Sequence, residues 1–205
     1  MSIKGKLYVH VVLDRSGSML ANKGATIAAY NNYIDSLGDD AVVSLTTFAG
    51  SADHPIMFAK PSRAKLSPED YECRGGTLLR DTIGSVVQSI DSAAKEYDRV
   101  ALVVQTDGQD TDSREFTQAQ IKQLLTDKQE GEGWLVIFLG ATLDAFNQAT
   151  NLGFVAGNSM QYVGANTAQA MASVSRSTAS YSSAPTAKVG RLSASFTDEE
   201  RLKSK

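Results

Sequence analysis

Cysteine is nearly absent from this chain: Cys73 stands alone among 205 residues. That excludes an internal disulfide framework and makes a reducing compartment the natural setting. Basic clusters are missing as well. The 20 Lys and Arg residues are scattered among 23 Asp and Glu, with no run of five or more, and the formal net charge is -3. A surface that tracks nucleic-acid phosphates is therefore not expected. No apolar stretch approaches the roughly 20 residues that span a bilayer. The start "MSIKGKLYVH" goes straight into a strand-like run, without the apolar region and cleavage site of a secretory signal. Neither His10 nor His54 has a companion at ligand spacing. No Gly-x-Ser-x-Gly elbow and no Gly-x-x-x-x-Gly-Lys phosphate loop occurs. The expectation is a cytoplasmic protein that engages neither nucleic acid nor membrane.

What is present suits one well-buried domain, with 42% hydrophobic and 21% charged residues. Leu7–Leu13, Val100–Thr106 and Trp134–Leu139 are near-continuous apolar runs, the pattern of parallel strands covered on both faces. Between them lie helical spacings. Leu20, Ile27, Tyr30, Ile34 and Leu37 recur until Gly38; Leu79, Ile83, Val86, Ile90 and Ala94 form a stripe that ends near Tyr97. Phe116, Gln120, Ile121, Leu124 and Leu125 mark a third helix, expected to stop before Gly131 and Gly133. Residues 41–60 read as two strands joined by "SADH", a connection short enough to require an antiparallel hairpin. Pro55 lacks a ladder donor and places the second of these at a sheet edge. A helix over Leu143–Asn151 and a short strand near Phe154 complete the order. The predicted fold is α/β: a doubly wound, mostly parallel sheet with one antiparallel edge strand.

Beyond Gly157 the composition changes to Ala, Ser and Thr with few large apolar residues. The chain is therefore divided into a domain over 1–157 and an extension over 158–205. Asn166 is placed to cap a short helix through Val174, and no packed core is expected beyond Ser177. Thr197 and Glu200 match a capping box. An exposed or partly disordered tail is the main reading, and an arm that wraps its own domain or a partner is the alternative.

Ligands of an open α/β sheet gather outside the carboxyl ends of its strands, where the strand order reverses. Asp14, Ser16 and Ser18 in "LDRSGSML" follow the first strand, and Asp107 in "VVQTDGQD" follows the Val100–Thr106 strand. Thr77 in "RGGTLLRD" lies just before the second helical stripe, after a glycine pair that bends the chain. Taken singly, each fragment also reads as an ordinary cap or turn. Taken together, they resemble the metal-ion-dependent adhesion site of the von Willebrand factor type A family. That site consists of Asp-x-Ser-x-Ser, then a threonine, then an aspartate. The resemblance covers roughly residues 5–157 in element order, and "GGTLLRD" is most similar to compact bacterial and phage members.

The resemblance implies a Rossmann-like type A fold and a Mg²⁺ site formed by Asp14, Ser16, Ser18, Thr77 and Asp107, with Mn²⁺ or Ca²⁺ as alternatives. It implies that the two serines bind the ion directly, the threonine in the ligand-engaged state, and the aspartates largely through water. A metal held mainly by neutral hydroxyls keeps its positive charge and takes a carboxylate from a protein partner. The implied function is a binding module, an adaptor or assembly component of a bacterial or phage system, with a virion-associated location as a variant. Two other readings stand beside it: an assembly protein acting through its tail or sheet edge, and a Mg²⁺-dependent phosphoryl-transfer enzyme. The enzyme reading needs a second carboxylate two residues after Asp14, where Ser16 stands, so no catalytic residue is assigned. Asp81 reads as a structural hydrogen-bonder, Asp110 and Asp112 as solvated turn residues with a role in discriminating partners as the alternative, Cys73 as inert and Trp134 as a packing residue.

Overall fold

The computed structural model describes residues 6–205. Met1–Gly5 and the side chain of Ala94 lie outside the described residues, so the reading of the chain's start remains an expectation. Six strands form one sheet: β1 (Leu7–Asp14), β2 (Val42–Phe48), β3 (Ala52–Ala59), β4 (Arg99–Thr106), β5 (Leu135–Gly140) and β6 (Ser159–Gln161), in spatial order β3-β2-β1-β4-β5-β6. All pairs are parallel except β2 with β3. The expected hairpin is the antiparallel edge, and Pro55 sits on its outer strand. That strand also carries register shifts against β2, which spoil it as a template for further pairing. The doubly wound expectation holds.

Each face of the sheet has its own core. Odd residues of β1 and β4 (Val9, Val11, Leu13, Ala101, Val103) pack under α1 (Lys23–Asp35) and α5 (Thr167–Ser183). Even residues (Tyr8, Val12, Leu102, Val104) pack under α2 (Leu79–Ala93), α3 (Gln118–Thr126) and α4 (Leu143–Asn151). This is the period-two alternation of a strand buried on both sides. In register, Leu13 faces Gln105 across the β1–β4 pair. The ends of these two central strands therefore lie level, and the chains leaving them diverge to opposite sides.

Three expectations are corrected. The third helix does not stop before Gly131. It continues as a π-helical turn, Asp127–Glu132, and closes at Gly133, whose φ of 76° is left-handed. No strand forms near Phe154; that residue is buried from irregular backbone, its ring 4.8 Å from that of Phe138. The last strand lies five residues later and pairs with Phe138–Gly140.

The largest correction concerns the extension. The sheet itself runs past residue 157, and packing runs past Ser177: α5 reaches Ser183, and Tyr181, Ala194 and Phe196 belong to the core. The physical reason is that small side chains do not prevent burial; they permit close approach. Ala170, Ser173, Ser177 and Thr178 are buried, the Ser173 hydroxyl donates to the Gln169 carbonyl, and the Thr178 hydroxyl pairs with Tyr33 of α1 at 3.0 Å. Two short helices follow, α6 (Ala187–Ser193) and α7 (Asp198–Lys203). The latter opens with the expected Thr197–Glu200 capping box. No helix among the described residues is long and apolar enough to cross a membrane.

Candidate metal centre

The loops leaving β1 and β4 and the segment before α2 meet at the carboxyl end of the sheet. Asp14 is the last residue of β1 and fully buried; its Oδ1 accepts the Ser16 amide at 2.7 Å and its Oδ2 accepts the Thr106 hydroxyl. Ser16 Oγ lies 3.1 Å from Ser18 Oγ, which donates to Asp107 Oδ1 at 2.7 Å. Two hydroxyls and the Asp107 carboxylate thus share one short hydrogen-bonded chain, which the Ser16 amide ties to Asp14. Thr77 reaches the group through its neighbours rather than by its own hydroxyl bond. A methyl group at Gly108 would sit 3.4 Å from Thr77 Oγ1, and the Thr77 carbonyl accepts the amides of Thr111 and Asp112. All five predicted residues are therefore brought to one place.

The backbone explains why the loops hold this shape. Gly17 donates to the Gly75 carbonyl at 3.1 Å and Arg74 to the Arg15 carbonyl at 2.8 Å, so the segment before α2 is zipped to the serine loop. Gly75 has φ 76°, and a side chain at Gly76 would collide with the Asp112 carboxylate, 2.0 Å from its Oδ2. Gly75 is thus required by the turn, whereas a side chain at Gly76 would displace the Asp112 carboxylate.

Electrostatically the centre is a concentration of oxygen with no internal cation. Arg15, between the aspartate and the first serine, turns away to pair with Asp53 and reaches the Glu72 carbonyl. Among the described residues, no Lys or Arg pairs with Asp14 or Asp107. Burial pushes the Asp14 carboxyl up to about 6, against the hydrogen bonds from Thr106 and Ser16 that favour its charged form. No cluster of three or more His, Cys, Asp or Glu occurs among the described residues, so a soft or imidazole-rich metal site is not formed there. Three hydroxyls and two carboxylates are instead oxygen groups whose chemistry would suit a hard cation.

No family model matches the chain, and no curated protein matches its sequence. Solved structures do match. The vWF domain of the type V pili tip protein Mfa5 from Porphyromonas gingivalis superposes with a TM-score of 0.70 at 10% identity, over 86% of this chain and 96% of that one. Proximal thread matrix protein 1 of the mussel byssus gives 0.66 at 13%, over 83% of this chain and 47% of that one. A von Willebrand factor type A protein from Catenulispora acidiphila gives 0.61 at 17%, over 83% and 42%. The chain has the von Willebrand factor type A fold. It spans about half the length of the mussel chain it matches. The mussel protein is also known with a zinc-occupied MIDAS motif, in a structure matching at 0.64 and 13% identity over 83% of this chain and 47% of that one; MIDAS is the metal-ion-dependent adhesion site.

Around the centre of this type A fold lie residues that sequence reasoning passed over. Thr106 bonds Asp14, and its place at the end of β4, directly before Asp107, was the available signal. Tyr71, fully buried, donates its hydroxyl to the Asp14 carbonyl from an irregular segment 57 residues away, where no local pattern announces it. Thr142 caps α4 and donates to the Asp107 carbonyl at 3.1 Å. Asp110 is corrected from a solvated turn residue to a tie: it accepts the Arg80 amide at 2.7 Å and the Ser113 amide at 3.1 Å, with its side chain 6% exposed. Asp81 is a structural hydrogen-bonder. It accepts the amides of Arg114, Glu115 and Phe116, which outweigh burial and hold its carboxyl below the usual range. The Cys73 thiol is pushed up by burial, away from the reactive thiolate. His10 and His54 both hydrogen-bond Thr46, far from any donor set for a metal.

Proposed function

We propose that this chain is a metal-dependent protein-binding module, in which Asp14, Ser16, Ser18, Thr77 and Asp107 hold Mg²⁺, or Mn²⁺ or Ca²⁺ in its place, and a partner's carboxylate completes the site. The observation that carries the reading is the hydrogen-bonded chain of Ser16, Ser18 and Asp107 beside a buried Asp14 that no Lys or Arg among the described residues pairs with. Bound there, the divalent ion would supply net positive charge at an exposed position, which attracts an acidic side chain. Ser16 and Ser18 present neutral oxygens, so they leave that charge largely uncancelled. Asp107 orients the Ser18 hydroxyl, and Asp14 fixes the serine loop through the Ser16 amide. The partner class is an acidic protein surface within a bacterial or phage assembly, in the cytoplasm or on a virion; nucleic acid and membrane are not partners in this reading.

A pull-down from native lysate with Mg²⁺ against excess chelator, using wild type and Asp14→Ala, tests the proposal. The expected outcome is a partner retained only by wild type with Mg²⁺, while circular dichroism shows both proteins folded. Retention that is indifferent to chelator would remove the metal from the mechanism.

A further inference from the structure

Between β3 and α2 the chain runs irregularly over residues 60–78, broken only by the 3-10 turn Pro61–Arg63. It is nevertheless fastened at both ends. At its start it is tied to α1: the Tyr30 hydroxyl donates to the Ala64 carbonyl at 2.9 Å, and the Asn31 side chain donates to the Leu66 carbonyl and accepts the Leu66 amide, each at 2.9 Å. At its end it is tied to the serine loop. The Tyr71 hydroxyl donates to the Asp14 carbonyl, and Arg15 Nη1 donates to the Glu72 carbonyl at 3.4 Å. The Arg74 amide donates to the Arg15 carbonyl at 2.8 Å, and the Gly17 amide to the Gly75 carbonyl at 3.1 Å. These contacts advance together along both segments, from 71 to 75 and from 14 to 17. Ser16 and Ser18 flank Gly17, and Thr77 lies two residues beyond Gly75. The register of this zip therefore sets where the threonine stands relative to the serines. Tyr71 is wholly buried, its ring part of the core, and it gives its hydroxyl to this contact. Arg15, by contrast, divides its guanidinium between Glu72 and Asp53.

We infer that Tyr71 is a positioning residue for the metal: it fixes the Asp14 carbonyl against the segment that carries Thr77, and so sets which ion is held and how tightly without touching it. This rests on the metal-binding reading above. Phenylalanine would satisfy the packing at this position; the contact to Asp14 is what calls for the hydroxyl. Mg²⁺ demands near-ideal octahedral geometry with oxygens at about 2.0–2.1 Å, whereas Ca²⁺ accepts oxygens at about 2.3–2.6 Å in flexible arrangements. Hydroxyls delivered by two separate segments meet the stricter demand only when their register is held. Loosening the zip therefore weakens Mg²⁺ more than Ca²⁺, and the Tyr71 hydroxyl favours the smaller ion.

Isothermal titration of the full chain with MgCl₂ and, separately, with CaCl₂ provides the test, on wild type, Tyr71→Phe and Tyr30→Phe. Tyr30→Phe removes the same group from the other end of the same segment, so it reports what a merely structural hydroxyl does to ion binding. Circular dichroism and urea midpoints in chelator check that all three proteins are folded. The expected result is that Tyr71→Phe binds Mg²⁺ about tenfold more weakly and Ca²⁺ at most about threefold more weakly, while Tyr30→Phe binds both ions as wild type does. Three results overturn the positioning role and leave the metal reading standing: unchanged Mg²⁺ affinity in Tyr71→Phe, equal weakening of the two ions, or the same loss of Mg²⁺ affinity in Tyr30→Phe. If wild type shows no saturable binding of either ion, the metal reading falls and this inference with it.

Discussion

At the scale of single residues, the loops around the candidate centre are held in part by carboxylates that backbone amides satisfy. Asp81 is the clearest case, because its carboxylate is the acceptor for three consecutive amides in the loop after β4. Asp81→Ala leaves those amides without partners and is expected to cost about 3 kcal/mol of stability, measured by urea denaturation. Because its carboxyl is held below the usual range, that stability is complete above the ordinary carboxylate pKa and is lost as pH falls through the folded value. His10 works in a different pH window. Burial, with His54 nearby, pushes it down to about 3, so the unfolded chain binds the extra proton between its ordinary value near 6.5 and about 3. Wild type is expected to lose up to about 1.4 kcal/mol per pH unit through that window relative to His10→Phe, seen as diverging urea midpoints at pH 7 and pH 5. Parallel slopes would show that His10 is not held neutral. That Asp14, Ser16, Ser18 and Asp107 meet at one end of the sheet was legible because strand ends announce themselves, and that Thr77 joins them because a glycine pair precedes a helical stripe. Tyr71 was not legible, since a contact across 57 residues from irregular chain leaves no periodic trace.

At the scale of elements, the two edges of the sheet are protected by different means. The β3 edge carries Pro55 and irregular pairing; the proline was visible in the sequence and the register shifts were not. The β6 edge is covered by the chain's own last helix. Arg201 donates to the carbonyls of Ala156, Gly157 and Ser159, and the amides of Phe196 and Val163 bond Gly157 and Ser204. Truncation after Ser193 removes Ala194 and Phe196 from the core and uncovers that edge. The expected outcome is a lower melting temperature and oligomers or aggregates by size-exclusion chromatography. A truncated chain that stays monomeric with an unchanged melting temperature would contradict this role. The extension was misread because large apolar residues were taken as the measure of burial. In α5, hydroxyls satisfied within the helix let Ser and Thr pack against α1 as small residues do.

At the scale of the whole molecule, a sheet buried on both faces leaves its carboxyl end as the place where chemistry gathers, and the parallel register of β1 and β4 brings the donor loops together there. The same arrangement keeps the acidic centre free of its own cations, with Arg15 drawn off to Asp53. The central claim is that this oxygen cluster holds a divalent ion. Isothermal titration of the purified chain with MgCl₂ tests it most directly, alongside Ser16→Ala/Ser18→Ala. The account predicts saturable one-site binding by wild type that the double variant loses while keeping its fold. Equal heats for the two proteins, or no saturable binding by wild type, would contradict it.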